Sequence, residues 1–390
     1  MKLAMIGFGQ AGGKILDRFL EYDERTGSNI VRAALAVNTA KADLMGLERV
    51  PEERRVLIGQ SRVKGHGVGA DNELGAEVAE EDIDEVMSAM DDIPAHEVDA
   101  FLIVAGMGGG TGSGGGPVLA RHLKRIYTEP VYALGVLPGS DEGGIYTLNA
   151  ARSFQTFVRE TDNLLVFDND NWRQAGESVQ GGYDDINAEI VERFGLLFGA
   201  GEVRRGGEVA ESVVDSSEII NTLAGGGVST VGYASETIER EDTGLLSRFR
   251  GTGGDELDAA QTTNRITSLV RKAALGRLTM PCEVGGVERG LLVMAGPSRY
   301  LNRKGIERGR KWMEEQTGSM EVRGGDYPLN DGDFVASVVL LAGVTNAPRI
   351  KELQQVAIEA QDNIDEIRDA SERNLESLVH DTSDELEPLF

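Results

Sequence analysis

A chain of 390 residues, 40% of them hydrophobic, is long enough for two buried cores and too apolar to be disordered. Its 39 Lys and Arg against 65 Asp and Glu leave a formal net charge of −26, which excludes the basic surface that nucleic acid requires. Cys282 is its one cysteine, so an intrachain disulfide framework is excluded, and its four histidines show no metal-ligand spacing. A surface this acidic repels itself until salt screens it, and at molar salt the Debye length falls to about 3 Å, so the composition reads as adaptation to a very salty cytoplasm. The glycines at the N-terminus come too early for a signal peptide, and the longest apolar run, from Val335, is too short to span a bilayer. A soluble, cytoplasmic protein with no transmembrane segment is expected.

In chain order, LAMIGFG from Leu3 predicts a buried strand, and GGKILDRFLEYDE a helix with Ile15, Phe19 and Tyr22 on one face. AALAVNT and AFLIVAG predict further strands, PVLARHLKRIY a helix opening on Pro117, and VYALGVLP and NLLVFDND two more strands. The alternation predicts an α/β fold with a mainly parallel sheet covered on both faces. YDDINAEIVERFGLLF sets Ile186, Ile190, Phe194 and Phe198 four apart, which predicts a stout helix with one buried stripe. GAGEVRRGGE after it reads as a boundary between a domain over 1–200 and another over 201–390. In the second part LLVMAGP, EVRGGDYP and FVASVVLLAGV predict strands of a smaller sheet, and a long charged helix is expected from Pro348 to His380.

Two glycine-rich stretches fall where a strand ends and a helix begins, the place where open α/β sheets bind ligands. Glycine lets successive N–H groups converge without Cβ atoms in the way, and a helix N-terminus behind them completes an anion nest suited to phosphate. GGGTGSG, comprising Gly108, Gly109, Gly110, Thr111, Gly112, Ser113 and Gly114, meets that need and adds two hydroxyls. GFGQAGGK, from Gly7 to Lys14, matches GxGxxG, but the acidic ribose contact expected of a dinucleotide fold is missing where AVNT ends on Asn38 and Thr39. It is not a Walker loop either, since Lys14 is followed by Ile15.

GGGTGSG resembles the signature loop of the tubulin and FtsZ superfamily, and Gly9-Gln10-Ala11-Gly12 resembles the first nucleotide loop of tubulins. Length, GQAG and acidity together are most similar to CetZ, the tubulin-like group of halophilic archaea. The resemblance implies a Rossmann-like nucleotide-binding domain, a central helix and a smaller α+β C-terminal domain that activates the GTPase. It implies GTP or GDP with Mg²⁺ as ligands, contacted by Gly9, Gln10, Ala11, Gly12, Gly13, Lys14 and Asn38 besides the signature loop. Gly69, Ala70 and Asp71 would close near the terminal phosphate, Glu142 would hold the ribose, Asn169 and Asn187 would read the guanine edge, and Tyr183 would stack on the base.

VVDSSEIINTL holds Asp215 and Glu218 three apart, on one face of a helix. From the residues alone this is a capping box. The resemblance instead makes the pair catalytic, completing the active site of the next subunit and orienting the attacking water. It implies head-to-tail filaments, a role in cell shape, and a cytoplasmic, cortical place reached through a cortical or membrane adaptor. An FtsZ-like role in division, a polymer that binds nucleotide without hydrolysing it, and a nucleotide-dependent oxidoreductase on a doubly wound sheet remain as alternatives.

Overall fold

The structure, a computed structural model, describes residues 1–91, 93–173, 179–202, 214–238, 259–329 and 332–360. Strands covered on both faces read as unbroken apolar runs, and LAMIGF, AFLIVAG and VYALGVL do so because helices lie on either side of them. The first part runs β1 (Leu3–Phe8), α1 (Gly9–Thr26), β2 (Val31–Asn38), α2 (Lys41–Met45), β3 (Arg55–Leu57), α3 (Gln60–Val63), α4 (Asn72–Glu81), α5 (Ile83–Met90), β4 (Ala100–Gly106), α6 (Thr111–Ile126), β5 (Val131–Leu137), α7 (Gly144–Glu160) and β6 (Asn163–Asp168). The second runs α8 (Val179–Gly199), α9 (Ser216–Leu223), β7 (Val228–Thr237), α10 (Ala259–Leu275), β8 (Arg289–Gly296), α11 (Arg303–Thr317), β9 (Val322–Pro328) and β10 (Phe334–Ala342). Residues 348–360 are helical, and the rest of the expected long C-terminal helix lies outside the described residues, as do 203–208 of the expected boundary loop.

All ten strands belong to one sheet, ordered β3-β2-β1-β4-β5-β6-β7-β10-β8-β9. β3 through β7 are parallel, β10 runs antiparallel between β7 and β8, and β9 is parallel to β8. The smaller sheet expected for the second part is therefore an extension of the first. The two meet through a short joint, Leu164 with Val228 and Leu165 with Ser229. Past that joint the chain around Thr279 fills the gap, its carbonyl accepting from the Asp168 N–H and its own N–H donating to Val231, both at 2.8 Å.

One face of the sheet packs against α1, α2, α8 and α9, and the other against α4 to α7, α10 and α11. The predicted stripes on α1 (Ile15, Phe19, Tyr22) and α8 (Ile186, Ile190, Phe194, Phe198) are buried in the first of these layers. Each such side chain contributes roughly 2 kcal/mol of burial, enough to fix the faces these helices present. Helix α6 differs from expectation by beginning at Thr111, with Pro117 inside it. The glycines ahead of the proline pack as helix: a Cβ on Gly112 would stand 2.8 Å from the Phe8 carbonyl oxygen, and one on Gly114 2.1 Å from that of Asn72. A proline this close to the N-terminus removes only one intrahelical bond. Among the described residues no helix is long and apolar enough to cross a membrane.

Candidate functional site

Where β1, β2, β4, β5 and β6 end, the sheet opens into a cleft of about 430 Å³. The N-termini of α1 and α6 meet on its floor. Gly9 takes φ +76°, and a Cβ there would lie 2.9 Å from the Gly112 nitrogen, so both loops need glycine to approach each other. Neither helix has an acidic residue in its first turn, which leaves two unopposed positive dipole ends and a set of free N–H groups aimed at one place. Lys14 lines the same cleft. The arrangement suits a polyanion.

Side chains hold the other walls in register. Thr39 Oγ1 and Thr111 Oγ1 are hydrogen-bonded at 2.7 Å in the interior, tying the turn after β2 to the glycine loop. Asn38 folds that turn, accepting from the Ala40 N–H at 3.1 Å and donating to Asp43 at 3.1 Å. Ala70, at φ +62°, is one of three non-glycine residues in the left-handed region among those described. Its carbonyl accepts from Asn149 Nδ2 at 2.7 Å, and the same nitrogen reaches the Gly108 carbonyl at 3.0 Å. Asn149, 1% exposed on α7, thus ties the Gly67–Ala70 loop to the glycine nest. No motif in the sequence singles it out, because its work is done on backbone carbonyls distant in the chain.

At the far end of the cleft stand Glu142, Asn169, Tyr183 and Asn187. Glu142 accepts from the Gly139 N–H at 2.7 Å, and the Tyr183 hydroxyl bonds to the same carboxylate. Burial first, and then the Glu142 charge, push the Tyr183 phenol well above its usual range, so it stays a donor. Asn169 and Asn187 are 5% and 9% exposed, and Asn169 Oδ1 is buried without a partner. An orphan acceptor inside a cleft is costly until a ligand donor reaches it.

Five of the expected contacts do not line the cleft. A Cβ on Gly12 would be 2.0 Å from the Val104 carbonyl oxygen, Gly13 faces Leu47, and Gly114 packs on α4, so these glycines serve helix and strand packing. Ser113 Oγ bonds back to the Gly110 carbonyl at 3.4 Å and to that of Gly109, and Asp71 caps α4 through the Leu74 N–H at 3.0 Å. The other expected contacts line the cleft, together with Asp43, His66, Gly67, Pro138, Tyr146 and Ile186, none of which the sequence assigned to the site. His66 and Gly67 lie just ahead of Gly69, in the loop expected to close near the terminal phosphate, and Ile186 belongs to the stripe expected on α8; Asp43, Pro138 and Tyr146 carry no functional signal in the sequence.

Asp215 and Glu218 are at the opposite end of the sheet. Ser216 Oγ donates to Asp99 Oδ2 at 2.9 Å, and Asp99 precedes β4 and also accepts from the Lys2 N–H at 2.7 Å, ahead of β1. The six residues of β1 alone separate the two ends by roughly 20 Å. Asp215 caps α9, accepting from the Glu218 N–H at 3.1 Å, and also binds the Ser217 hydroxyl; that hydroxyl, ahead of the backbone N–H groups, holds it below the usual carboxylate range. The reciprocal half of a capping box is weak: the Asp215 backbone N–H acts on the Glu218 carboxylate, while Glu218 Oε2 is buried without a hydrogen-bond partner. Burial and the Asp215 charge push Glu218 up, and Arg323 and the Asp215 N–H pull it down. Arg323 pairs in register with Leu291, a residue of the layer that α9 covers. Among the described residues no cluster of three His, Cys, Asp or Glu could hold a metal ion.

Residues 2–177 match the model of the Tubulin/FtsZ family GTPase domain, and residues 176–359 match that of the Tubulin-like CetZ C-terminal domain. Tubulin-like protein CetZ1 of Haloferax volcanii is 78% identical over 375 residues, 94% of this chain and 94% of that protein. A solved CetZ1 from Haloferax volcanii, a GDP-bound monomer, superposes with TM-score 0.83 at 73% identity, over 93% of this chain and all 100% of that one. A GTPγS-bound protofilament of CetZ2 from the same organism superposes with TM-score 0.82 at 46% identity, over 94% of this chain and 100% of that one.

Proposed function

The chain belongs to the CetZ group of the tubulin/FtsZ family and carries its GTPase domain, and from that membership we propose that GTP binds in the glycine-lined cleft and is hydrolysed with help from a second subunit. The triphosphate lies along the N-termini of α1 and α6, the ribose meets Glu142, and the guanine edge meets Asn169 and Asn187. Converging N–H groups stabilise charge in such a site without reorganising, which is where most of the barrier lowering in phosphoryl transfer originates. Mg²⁺, when bound, would neutralise phosphate charge. It would be held by the triphosphate and by waters, which this ion keeps readily, and the described residues offer no cluster of three carboxylates as a cage for it.

One observation carries the reading: the cleft and the Asp215–Glu218 pair stand at opposite ends of one sheet. A single subunit cannot bring them together. A head-to-tail contact can, and such a heterologous contact continues into a filament unless its rotation closes a ring. In that contact Glu218 polarises the attacking water and takes its proton, while Asp215 fixes the first turn of α9 beneath it. Hydrolysis at each contact then weakens the polymer. The GTPγS-bound protofilament and the GDP-bound monomer solved for its relatives support this assignment of states. The short joint between β6 and β7 supports a division near residue 200, and a role in cell shape is the cellular reading we favour.

The test is GTP turnover per subunit against protein concentration in molar KCl with Mg²⁺, for the wild type and Glu218→Ala. Turnover should climb with concentration in the wild type, and the variant should bind GTP normally yet lose ~100-fold or more of its activity. Flat turnover, or an active variant, would refute the shared site.

A further inference from the structure

The guanine-reading end of the cleft is gripped from outside by three arginines. Asn169 opens a short 3-10 turn, Asn169–Asn171, directly after β6. Arg277, just past α10, donates from Nε to the Asn171 carbonyl at 2.7 Å. Its guanidinium also lies 4.1 Å from the centre of the Trp172 ring, and that of Arg193, on α8, lies 4.2 Å from the same centre. The third is Arg349, at the start of the 348–360 helix and 5% exposed. Its Nη2 donates to the Pro138 carbonyl at 2.8 Å; Nε, which makes no hydrogen bond, lies at ion-pair distance, 3.6 Å, from Asp168 Oδ1, and Nη1 pairs with Glu352 at 2.7 Å. Pro138 is a wall residue of the cleft, and Asp168 is bonded in peptide linkage to Asn169.

Burying a guanidinium and a carboxylate at 5% exposure each is expensive, and hydrophobic residues of similar size would serve stability as well or better. What this ion pair adds is orientation. It joins the two backbone segments that flank the base end of the cleft, after β5 and after β6, through one rigid planar group. Asn169 Oδ1, buried and unpartnered, is the acceptor whose aim depends on that turn. The guanine edge offers N1–H and the 2-amino group as donors, whereas inosine lacks the 2-amino group.

We propose that Arg349, which stands outside the cleft, is a positioning residue for base recognition: it fixes Pro138 and the Asp168–Asn169 turn so that Asn169 discriminates guanine from hypoxanthine. The inference rests on the guanine-reading role given to Asn169 above. Asp168 supplies a second, independent readout. Burial pushes its carboxyl up to about 6; Arg349 and the Asp170 N–H pull it down, and Asp170 and Glu352 push it up. Without Arg349 the carboxyl protonates at higher pH, and the pair no longer spans the two segments.

The experiment measures KM and kcat for GTP and for ITP, from pH 5 to 8, in the full chain at fixed protein concentration, for Arg349→Gln, Arg349→Lys and Asn169→Ala. Arg349→Gln should narrow the preference for GTP over ITP by about three- to tenfold, the worth of one aimed hydrogen bond, with kcat at saturating GTP unchanged. Arg349→Lys should recover part of that preference. In the wild type the KM for GTP should rise as pH falls through about 6, and in Arg349→Gln the rise should begin at higher pH. If Asn169→Ala narrows the preference and Arg349→Gln leaves it intact, the inference is overturned while the guanine reading stands. If Asn169→Ala keeps the preference, the guanine reading fails and the inference with it. Equal losses for both nucleotides, with kcat falling too, would make Arg349 merely structural and overturn the inference. Should Arg349→Gln not fold, Asp168→Asn is read in the same assay, where narrowing supports the inference and an intact preference overturns it.

Discussion

At the end of the sheet where β1 and β4 finish, the groups that face a ligand are mostly backbone: amides of two glycine loops and two helix N-termini, with Lys14 beside them. At the end where the same strands begin, the groups are side chains, Asp215 and Glu218 on α9 with Arg323 across from them on β9. A backbone site is pre-formed and binds whether or not a neighbour is present. A site of two carboxylates, one exposed and one half-buried, has nothing of its own to act on. In the function proposed above, this contrast assigns binding to the first end and, to the second, catalysis on the adjoining molecule.

The sharpest way to break that comparison is to disable one end in each of two populations. Glu218→Ala removes the carboxylate end and leaves the cleft. Gly109→Asp does the reverse: no atom lies within 4 Å of the Cβ it would add, so the fold is spared while a carboxylate enters the phosphate nest. Each variant alone should fall ~100-fold or more in turnover. Mixed in equal amounts, chance places an intact cleft against intact carboxylates at one contact in four, so activity should return to as much as about a quarter of wild type. A mixture that co-assembles and stays inactive would show that each subunit hydrolyses with its own residues.

The same contrast explains what could be read from the sequence. The nest was legible because only glycine allows Gly9 its positive φ and lets its backbone approach Gly112 to within a Cβ's reach. Yet Gly12 and Gly114 look identical in sequence and do not line the cleft, because close packing against Val104 and Asn72 demands glycine for the same steric reason. The role proposed for the Asp215–Glu218 end was not legible without the family, since Asp-x-x-Glu ahead of an apolar run is what any capped helix shows, and Asp215 does cap one. Asn149 was invisible, as a polar residue on an amphipathic helix carries no mark of bonding to the carbonyls of Ala70 and Gly108. The continuity of the sheet was invisible too: it depends on two residue pairs between β6 and β7, more than sixty positions apart, and on the chain near Thr279 filling the wedge beyond them.

A smaller effect sharpens the catalytic end through its acidity. Burial and Asp215 raise the Glu218 carboxyl, and Arg323 and the Asp215 N–H lower it. A general base must be ionised, so turnover falls as pH drops through the Glu218 pKa, and it does so at higher pH than an ordinary glutamate would dictate. Arg323→Ala removes the one stabilising charge and should move this acid limb upward, a loss of a few-fold at fixed mildly acidic pH that largely disappears above neutrality. Asp215→Asn should move the limb the other way. An acid limb that ignores both changes would assign the proton transfer elsewhere.

The smallest effect separates the two roles of Asp215. As a cap it accepts from the Glu218 N–H at 3.1 Å, and removing a cap costs about 1 kcal/mol, so Asp215→Ala should lower the melting temperature by about one to two degrees. Serine caps as well as aspartate does but carries no charge. Asp215→Ser should therefore melt as the wild type does at neutral pH. Because the folded carboxyl of Asp215 is held below its usual range, its contribution is complete above the unfolded pKa and is lost as pH falls through the folded one, so any stability gap between wild type and Asp215→Ser should close in acid. Turnover gives the decision. If the carboxylate also shapes the field around the attacking water, Asp215→Ser should lose about tenfold in activity at unchanged stability; if it hydrolyses GTP at the wild-type rate, Asp215 only starts the helix and Glu218 acts alone.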